Sequence, residues 1–360
     1  MDGTTPLRVL HVVTRAQRRG AETHAVLIDS WLRDRGWDSR LVALAPGLAT
    51  APLAIPVLGV GELSPGTLRR LRAAARSADV VVAHGSRTLP ASVAATVGLR
   101  VGLVYVNIGD PRYWAADRLR RARTRWLLQR VDHVAAVSEG AADALVGHYG
   151  LDPARVSVVP NARDVTRFPA VTPAGRAAAR ARLGLPTDGQ VVLTLGSLTV
   201  EKRVGLAIRS ASLVRGAELL VVGDGPQRLD LVALADQVMP GRTRFVGLVT
   251  DPERYLAAAD VVLLTSSSEG VPGALVEAAL LGVPAVTTDV GFVRDVVEDG
   301  MTGRVVPGAD PAALAAALRE VLAAGPGMGQ AAARAARERH DIDTVIPRWE
   351  QVLTAAADRR

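Results

Sequence analysis

The sequence predicts an α/β protein built from two doubly wound domains in series. Three observations carry this. Short, uniformly apolar runs alternate with amphipathic helical stretches from end to end, the pattern of parallel sheets covered on both faces by helices. The rhythm breaks between Pro160 and about Ala178, where Pro160, Pro169 and Pro173 stand among polar residues, and then restarts. The chain has 360 residues, more than one hydrophobic core ordinarily carries.

Leu7–Val13 reads as the first buried strand and Ala21–Arg35 as the first helix. Ser39–Leu44, Val80–Ala83, Val101–Val106, His133–Val137 and Val156–Val159 read as further strands, with helical patterns at Leu89–Val97, Arg112–Arg130 and Ala141–Tyr149. After the break, strands fall at Gln190–Leu195, Glu218–Val222, Arg244–Val246, Val261–Thr265 and Ala285–Thr288. Helices fall at Val204–Val214, Arg228–Gln237, Pro252–Ala259 and Gly273–Leu281. The expected domains are residues 1–165 and 166–343, with a cleft between them faced by the carboxyl ends of the strands.

Composition narrows the function classes. With no cysteine, disulfide frameworks, thiolate metal sites and cysteine nucleophiles are excluded. No apolar run reaches the length of about 18 residues that a membrane span needs, and no signal-peptide pattern opens the chain, so a cytoplasmic location is expected. The net charge is +7, with 22 Lys/Arg against 14 Asp/Glu in residues 1–165 and 21 against 22 in the remainder. Excess positive charge in one half suits either an anionic partner or a solvated surface. Of the 43 basic side chains only Lys202 is a lysine, which points to a position wanting a compact ammonium in place of a planar fork.

Glu269 and Glu277 mark the candidate site. Glu269 lies in the loop after the strand Val261–Thr265, and Glu277 about one turn into a helix starting near Pro272 or Gly273. Gly270 and Gly273 let a ligand approach the backbone, and a helix N-terminus can hold phosphate. Such an arrangement suits a polyhydroxyl ligand gripped by carboxylates with its phosphates on backbone amides. A surface loop followed by an exposed helical Glu is the plainer alternative.

The run Ser266-Ser267-Ser268-Glu269-Gly270-Val271-Pro272, then Glu277-Ala278-Ala279, Gly282-Val283-Pro284, Glu298-Asp299-Gly300 and Thr302-Gly303 resembles the carboxyl-terminal domain of family 4 retaining glycosyltransferases, which have the GT-B fold. Gly196 to Lys202, Gly223-Asp224-Gly225-Pro226, Phe245-Val246-Gly247, Ser138-Glu139, Val159-Pro160-Asn161 and Gly20-Ala21-Glu22 resemble further family segments in the same order. The resemblance implies two Rossmann-like domains, the first for the acceptor and the second for a nucleoside-diphosphate sugar, UDP- or GDP-linked. It implies no cofactor and no metal, and a last helix near Thr344–Ala357 that crosses back onto the first domain. By the same resemblance, Glu277 would bind the ribose. Glu269 with Gly270, Val271 and Pro272 would hold the donor sugar. Lys202 would neutralise the diphosphate leaving group, Gly196 and Ser197 would line the diphosphate stretch, and Gly20 would let backbone approach the phosphates. The base would stack near Val246, Gly247 and Leu248.

Three positions depart from the family pattern. Ser197 stands where an Arg is usual, with Arg203 or Arg15 as substitute cations; Arg19 precedes Gly20 where a second glycine is usual. Asn107 follows the strand Val101–Val106 where many members place a histidine near the reacting sugar. Asn can hydrogen-bond a hydroxyl but cannot act as acid or base at pH 7. A retaining same-face mechanism needs no protein base, because the leaving phosphate takes the acceptor's proton. These departures also keep open a non-catalytic homologue acting as a binding or activator subunit.

His84 and Asp110, at the ends of first-half strands, are candidate acceptor contacts. Arg69, Arg70, Arg72 and Arg76, with seven arginines from Arg112 to Arg130 beside Trp114 and Trp126, suit an anionic membrane surface or a solvated helix face. Asp341-Ile342-Asp343 has a metal-motif form but lies far from the expected cleft and reads as capping for the last helix. A dinucleotide-dependent oxidoreductase is disfavoured, since Gly223-Asp224-Gly225 is followed by Arg228 in place of a third glycine. The Glu269–Glu277 run favours transfer over nucleotide-sugar 2-epimerisation, and no nucleic-acid recognition motif accompanies the basic residues.

Overall fold

The computed structural model describes residues 7–18, 20–47, 52–114 and 117–359. It divides into two units: one runs to Arg163 and takes back Ile342–Arg360, and the other is Asp164–Asp341.

The first unit is β1 (Arg8–Ala16), α1 (Gly20–Asp34), β2 (Asp38–Pro46), α2 (Pro65–Ala75), β3 (Val80–His84), α3 (Leu89–Thr96), β4 (Gly102–Asn107), α4 (Pro111–Trp114), α5 (Arg118–Leu128), β5 (His133–Ala136), α6 (Glu139–Tyr149) and β6 (Val156–Val158). Its sheet has the order β2-β1-β3-β4-β5-β6, with every pair parallel. Consecutive strands in a parallel sheet need crossovers, and the intervening helices supply them. Val80, Val82, Val104 and Val106 alternate onto one face, where Ile28 and Leu32 of α1 cover them.

The second unit is α7 (Pro173–Leu183), β7 (Gln190–Leu195), α8 (Val204–Ser212), β8 (Ala217–Val222), α9 (Arg228–Val238), β9 (Thr243–Gly247), α10 (Glu253–Ala258), β10 (Val261–Leu264), α11 (Gly273–Leu280), β11 (Ala285–Thr288), β12 (Gly303–Val306), α12 (Pro311–Ala323) and α13 (Pro326–His340). Its sheet has the order β12-β11-β10-β7-β8-β9, also all parallel. The strand order reverses between β7 and β10, so the crevice outside their carboxyl ends is the topological switch point where such sheets bind ligands.

The last helix, α14 (Ile342–Ala357), belongs to the first unit. Val345, Ile346, Trp349, Val352 and Leu353 join the core beneath β3 and β4. The approach is close: a Cβ on Gly102 would lie 2.4 Å from the Ala356 carbonyl oxygen.

Two local expectations are corrected. Pro173 does not belong to an irregular stretch. It is the first residue of α7, with Thr172 accepting from Gly175 N and Gly184 closing the helix in the left-handed conformation. Arg112–Arg130 is not one helix. It divides into α4 and α5, the latter capped by Asp117 accepting from Leu119 N.

Candidate functional site

The site is built from loops at the carboxyl ends of β7, β8, β10 and β11. After β7, Gly196 has φ +149°, a conformation open to glycine. The chain then makes a 3-10 turn, Val200–Lys202, and enters α8 through Arg203. Arg203, at φ 46°, is the one positive-φ non-glycine residue among those described. Left-handed backbone at such a residue costs about 1–3 kcal/mol and gathers at ligand sites. Here it turns the chain immediately after Lys202.

The β10 loop is stitched to this turn. Ser267 N donates to Glu201 O at 2.8 Å, and Thr265 Oγ1 donates to Arg203 O at 3.0 Å. Lys202 Nζ reaches Glu269 Oε1 at 2.6 Å, and Ser266 Oγ donates to the same oxygen at 2.5 Å. Glu269 is largely buried, its side chain 9 % exposed against 27 % for Lys202. Charge-assisted bonds of this length are the strong ones, and a partly buried carboxylate needs them to offset its desolvation. An ammonium has three protons, so Lys202 can hold Glu269 and still offer donors to a phosphate.

Glycines from neighbouring strand ends support both loops. A Cβ on Gly223 would lie 1.9 Å from Gly196 O, and one on Gly225 would lie 2.5 Å from Leu198 O. Gly291, beyond β11 at φ +58°, would place a Cβ 1.7 Å from Glu269 O. Thr288 Oγ1 donates to Ser266 O, and Phe292 N to Gly270 O. The Glu269 loop is therefore fixed by β11 as well as by β7.

The structure brings Lys202, Glu269, Gly196 and Arg203 to one pair of strand ends, with Ser197 exposed on the β7 loop. Val271 and Pro272 are buried where the β10 loop enters α11, and Glu277 lies half-buried one turn inside that helix. Val246 and Gly247 end β9, followed by exposed Leu248. Sequence reasoning missed Ser266, Thr265 and Gly291. The serine run before Glu269 and the glycine after a predicted strand were the available signals.

The first-unit candidates are placed differently. His84 is the last residue of β3 and 1 % exposed, with Nε2 2.9 Å from His11 Nδ1. Its ring thus belongs to a buried cluster and presents no open surface to an acceptor. Asn107 ends β4, fully buried, beside the Tyr105 hydroxyl. Burial pushes that hydroxyl's pKa up, and the neighbouring Asn107 amide opposes this. Asp110 is tied to Arg112 at 2.8 Å, and Arg15 lies 3.7 Å from Glu62. Gly20 opens α1 with open space where a Cβ would be; Arg19 lies outside the described residues. Asp343, in the first turn of α14, pairs with Arg35 at 2.9 Å.

The arginine-rich stretches also separate. Arg72 of α2 is spent on the Ala95 and Val97 carbonyls, while Arg69 and Arg70 are exposed. On α5 only Leu127 and Leu128 are buried. Leu119 is 81 % and Trp126 51 % exposed, among exposed arginines. The Trp114 side chain lies outside what is described. Among the described residues no helix is long and apolar enough to cross a membrane.

Comparison with known proteins agrees with this fold. Residues 189–324 match the family described as Glycosyl transferases group 1, and residues 18–167 match Glycosyltransferase Family 4. The chain is 34 % identical over 216 residues to the D-inositol 3-phosphate glycosyltransferase of Geodermatophilus obscurus, covering 55 % of this chain and 47 % of that protein. It is 34 % identical over 230 residues to the Mycobacterium tuberculosis protein of the same name, covering 60 % and 47 %. The chain thus spans about half the length of the curated relatives it matches. Among solved structures, the sucrose-phosphate synthase of Thermosynechococcus elongatus superposes with TM-score 0.86 at 18 % identity, covering 98 % of this chain and 100 % of that one. HepE of Anabaena, solved with UDP and glucose, superposes with TM-score 0.82 at 21 % identity, covering 97 % and 99 %. With two all-parallel doubly wound units, a ligand-ready switch point in the second, and both halves matched in order, the chain belongs to the family 4 glycosyltransferases of GT-B fold.

Proposed function

We propose that the protein is a retaining glycosyltransferase that moves a sugar from a nucleoside-diphosphate sugar to an acceptor hydroxyl. The observation that carries this is the Lys202–Glu269–Ser266 cluster at the β7–β10 switch point. The diphosphate is assigned to the Gly196–Arg203 turn, where Lys202 faces the charge that develops as the bond to the anomeric carbon breaks. Glu269, oriented by Ser266, accepts from the donor sugar's hydroxyls, and Glu277 accepts from the ribose. The base is assigned to Val246–Leu248. Relatives are named for glycosyl transfer to an inositol phosphate, and a structural neighbour holds UDP-glucose. Both support a UDP-linked donor.

In the proposed reaction the acceptor oxygen attacks the anomeric carbon on the face the leaving group departs. The carbon–oxygen bond to the diphosphate breaks, and the acceptor's proton passes to the departing phosphate oxygen. Buried Asn107 then need not act as a base. The acceptor is assigned to the first unit. The exposed Leu119 and Trp126 among the arginines of α5 support contact with an anionic membrane surface.

Titration with UDP, GDP and ADP tests the donor assignment. A ligand at about 100 times its Kd stabilises by about 2.7 kcal/mol, and one diphosphate is expected to give such a shift. No shift with any of them would overturn the reading. Nucleotide binding without turnover of any nucleotide sugar would favour a binding homologue. Retention is read by NMR of the product's anomeric proton.

A further inference from the structure

The second unit has a cavity of about 700 Å³ at the end of its sheet opposite the Lys202 cluster. Gln190, the first residue of β7, and Asp260, just before β10, stand in its wall, so it lies at the amino ends of the strands whose carboxyl ends carry the candidate donor loops. Pro173, Pro284, Leu322 and Pro326 make much of its surface apolar.

Its charges are unbalanced. Arg180 and Arg176, one turn apart on α7, both reach Asp260, at 2.6 and 3.1 Å. Arg180 is nearly buried, and its guanidinium also donates to the carbonyls of Ala258, Thr187 and Gly189. Asp260 accepts from Val191 N as well. One carboxylate thus faces two guanidiniums, and Arg180 has first claim on it. Arg176 brings the surplus positive charge, and its Nε is buried without a hydrogen-bond partner. A buried donor on a charged group without a partner is costly. An apolar concavity with one cation that must share its carboxylate is the composition of a small-molecule site.

We propose that this cavity binds a small organic anion with an apolar body, a carboxylate or a phosphate monoester, whose head group pairs with Arg176. The head group brings a second anion to the partly exposed guanidinium that now shares Asp260 with Arg180, and the body covers the proline and leucine walls. This site is separate from the donor site and does not depend on the assignment made there.

Calorimetric titration of the full chain with hexanoate and with hexyl phosphate tests it, with 1-hexanol, acetate and inorganic phosphate as controls lacking the charge or the apolar body. One saturable site per chain is expected, unaffected by UDP, with the controls about tenfold weaker or worse. Arg176→Gln, which leaves Arg180 on Asp260, is expected to weaken binding about tenfold, the worth of a charge-assisted hydrogen bond. Ala177→Trp, which adds bulk to the wall of the cavity, is expected to abolish it. A cooperative melt identifies folded variants, and either variant alone decides the matter. Tighter hexyl phosphate would identify a phosphate monoester as the ligand class, and tighter hexanoate a carboxylate. Absence of saturable binding by both anions, equal binding of 1-hexanol, or unchanged binding in a folded variant would overturn the proposal.

Discussion

The first unit should lose stability steeply between pH 7 and pH 5, because three histidines are buried uncharged around one tryptophan. His11 on β1, His84 on β3 and His24 on α1 are each 4 % exposed or less. Their ring centroids lie 6.5, 6.2 and 6.4 Å from that of Trp349 on α14. Burial pushes the His11 pKa down to about 4 and that of His24 to about 3, and depresses His84 in the same direction. Asp29 on α1 opposes the shift at His11, while Arg163 adds to the shift at His24. Unfolded histidine titrates near 6.5, so the unfolded chain gains these protons first. The stability from neutral burial is therefore present above pH 6.5 and is lost as pH falls toward 4 and 3. Each fully depressed histidine costs about 1.4 kcal/mol per pH unit in that window. From pH 7 to pH 5, His11 and His24 together cost about 4 kcal/mol, a large share of a typical 5–15 kcal/mol. Urea unfolding of the full chain at pH 7, 6 and 5 measures this. His24→Gln keeps an acceptor for Ala162 N, which His24 Nε2 now serves at 3.4 Å, and should remove about a third of the slope. Equal urea midpoints at pH 7 and 5, or an unchanged slope in His24→Gln, would refute the reasoning.

Lys202→Ala should lower turnover about 10²- to 10³-fold, the usual worth of a preorganised charge at a developing anion; unchanged turnover under saturating donor would sink its leaving-group role. Gly291→Ala should abolish UDP binding or reduce it more than tenfold while leaving the first unit's hydrogen-exchange protection intact, because its Cβ would meet Glu269 O at 1.7 Å. Truncating fully buried Trp349 to Ala should cost the first unit about 3–5 kcal/mol, read as a lower urea midpoint. Trp126→Ala combined with Arg123→Glu should reduce cosedimentation with anionic vesicles and leave neutral vesicles unaffected; equal cosedimentation of the variant would remove α5 from the membrane assignment.

Much of the architecture was legible because buried parallel strands carry their signature locally. Val80–Ala83 is apolar at every position and Gln190–Leu195 at four of six, and the structure makes both strands. Elements with weaker local signals were read less well. The strand Gly303–Val306 contains Arg304 and went unread, and α7 was hidden because its leading proline serves a helix start as readily as a loop. The Arg112–Arg130 pattern continues through residues where the backbone divides, since helical periodicity does not register a change of axis.

By itself, the sequence determined that there would be two doubly wound halves, that Glu269 and Glu277 would stand on a loop and the helix after it, and that the lone lysine would follow a strand. Only the tertiary structure decided that β7 and β10 lie side by side, bringing Lys202 against Glu269 across 67 residues of chain. It also decided that Gly291 would brace that loop from β11 and that three histidines from β1, α1 and β3 would meet Trp349 of α14. The physical reason is one of range. Burial periodicity and turn chemistry act over a few residues and are written into neighbouring side chains. Strand order and the crossing of a distant helix are selected by the free energy of the whole core, which no short segment records.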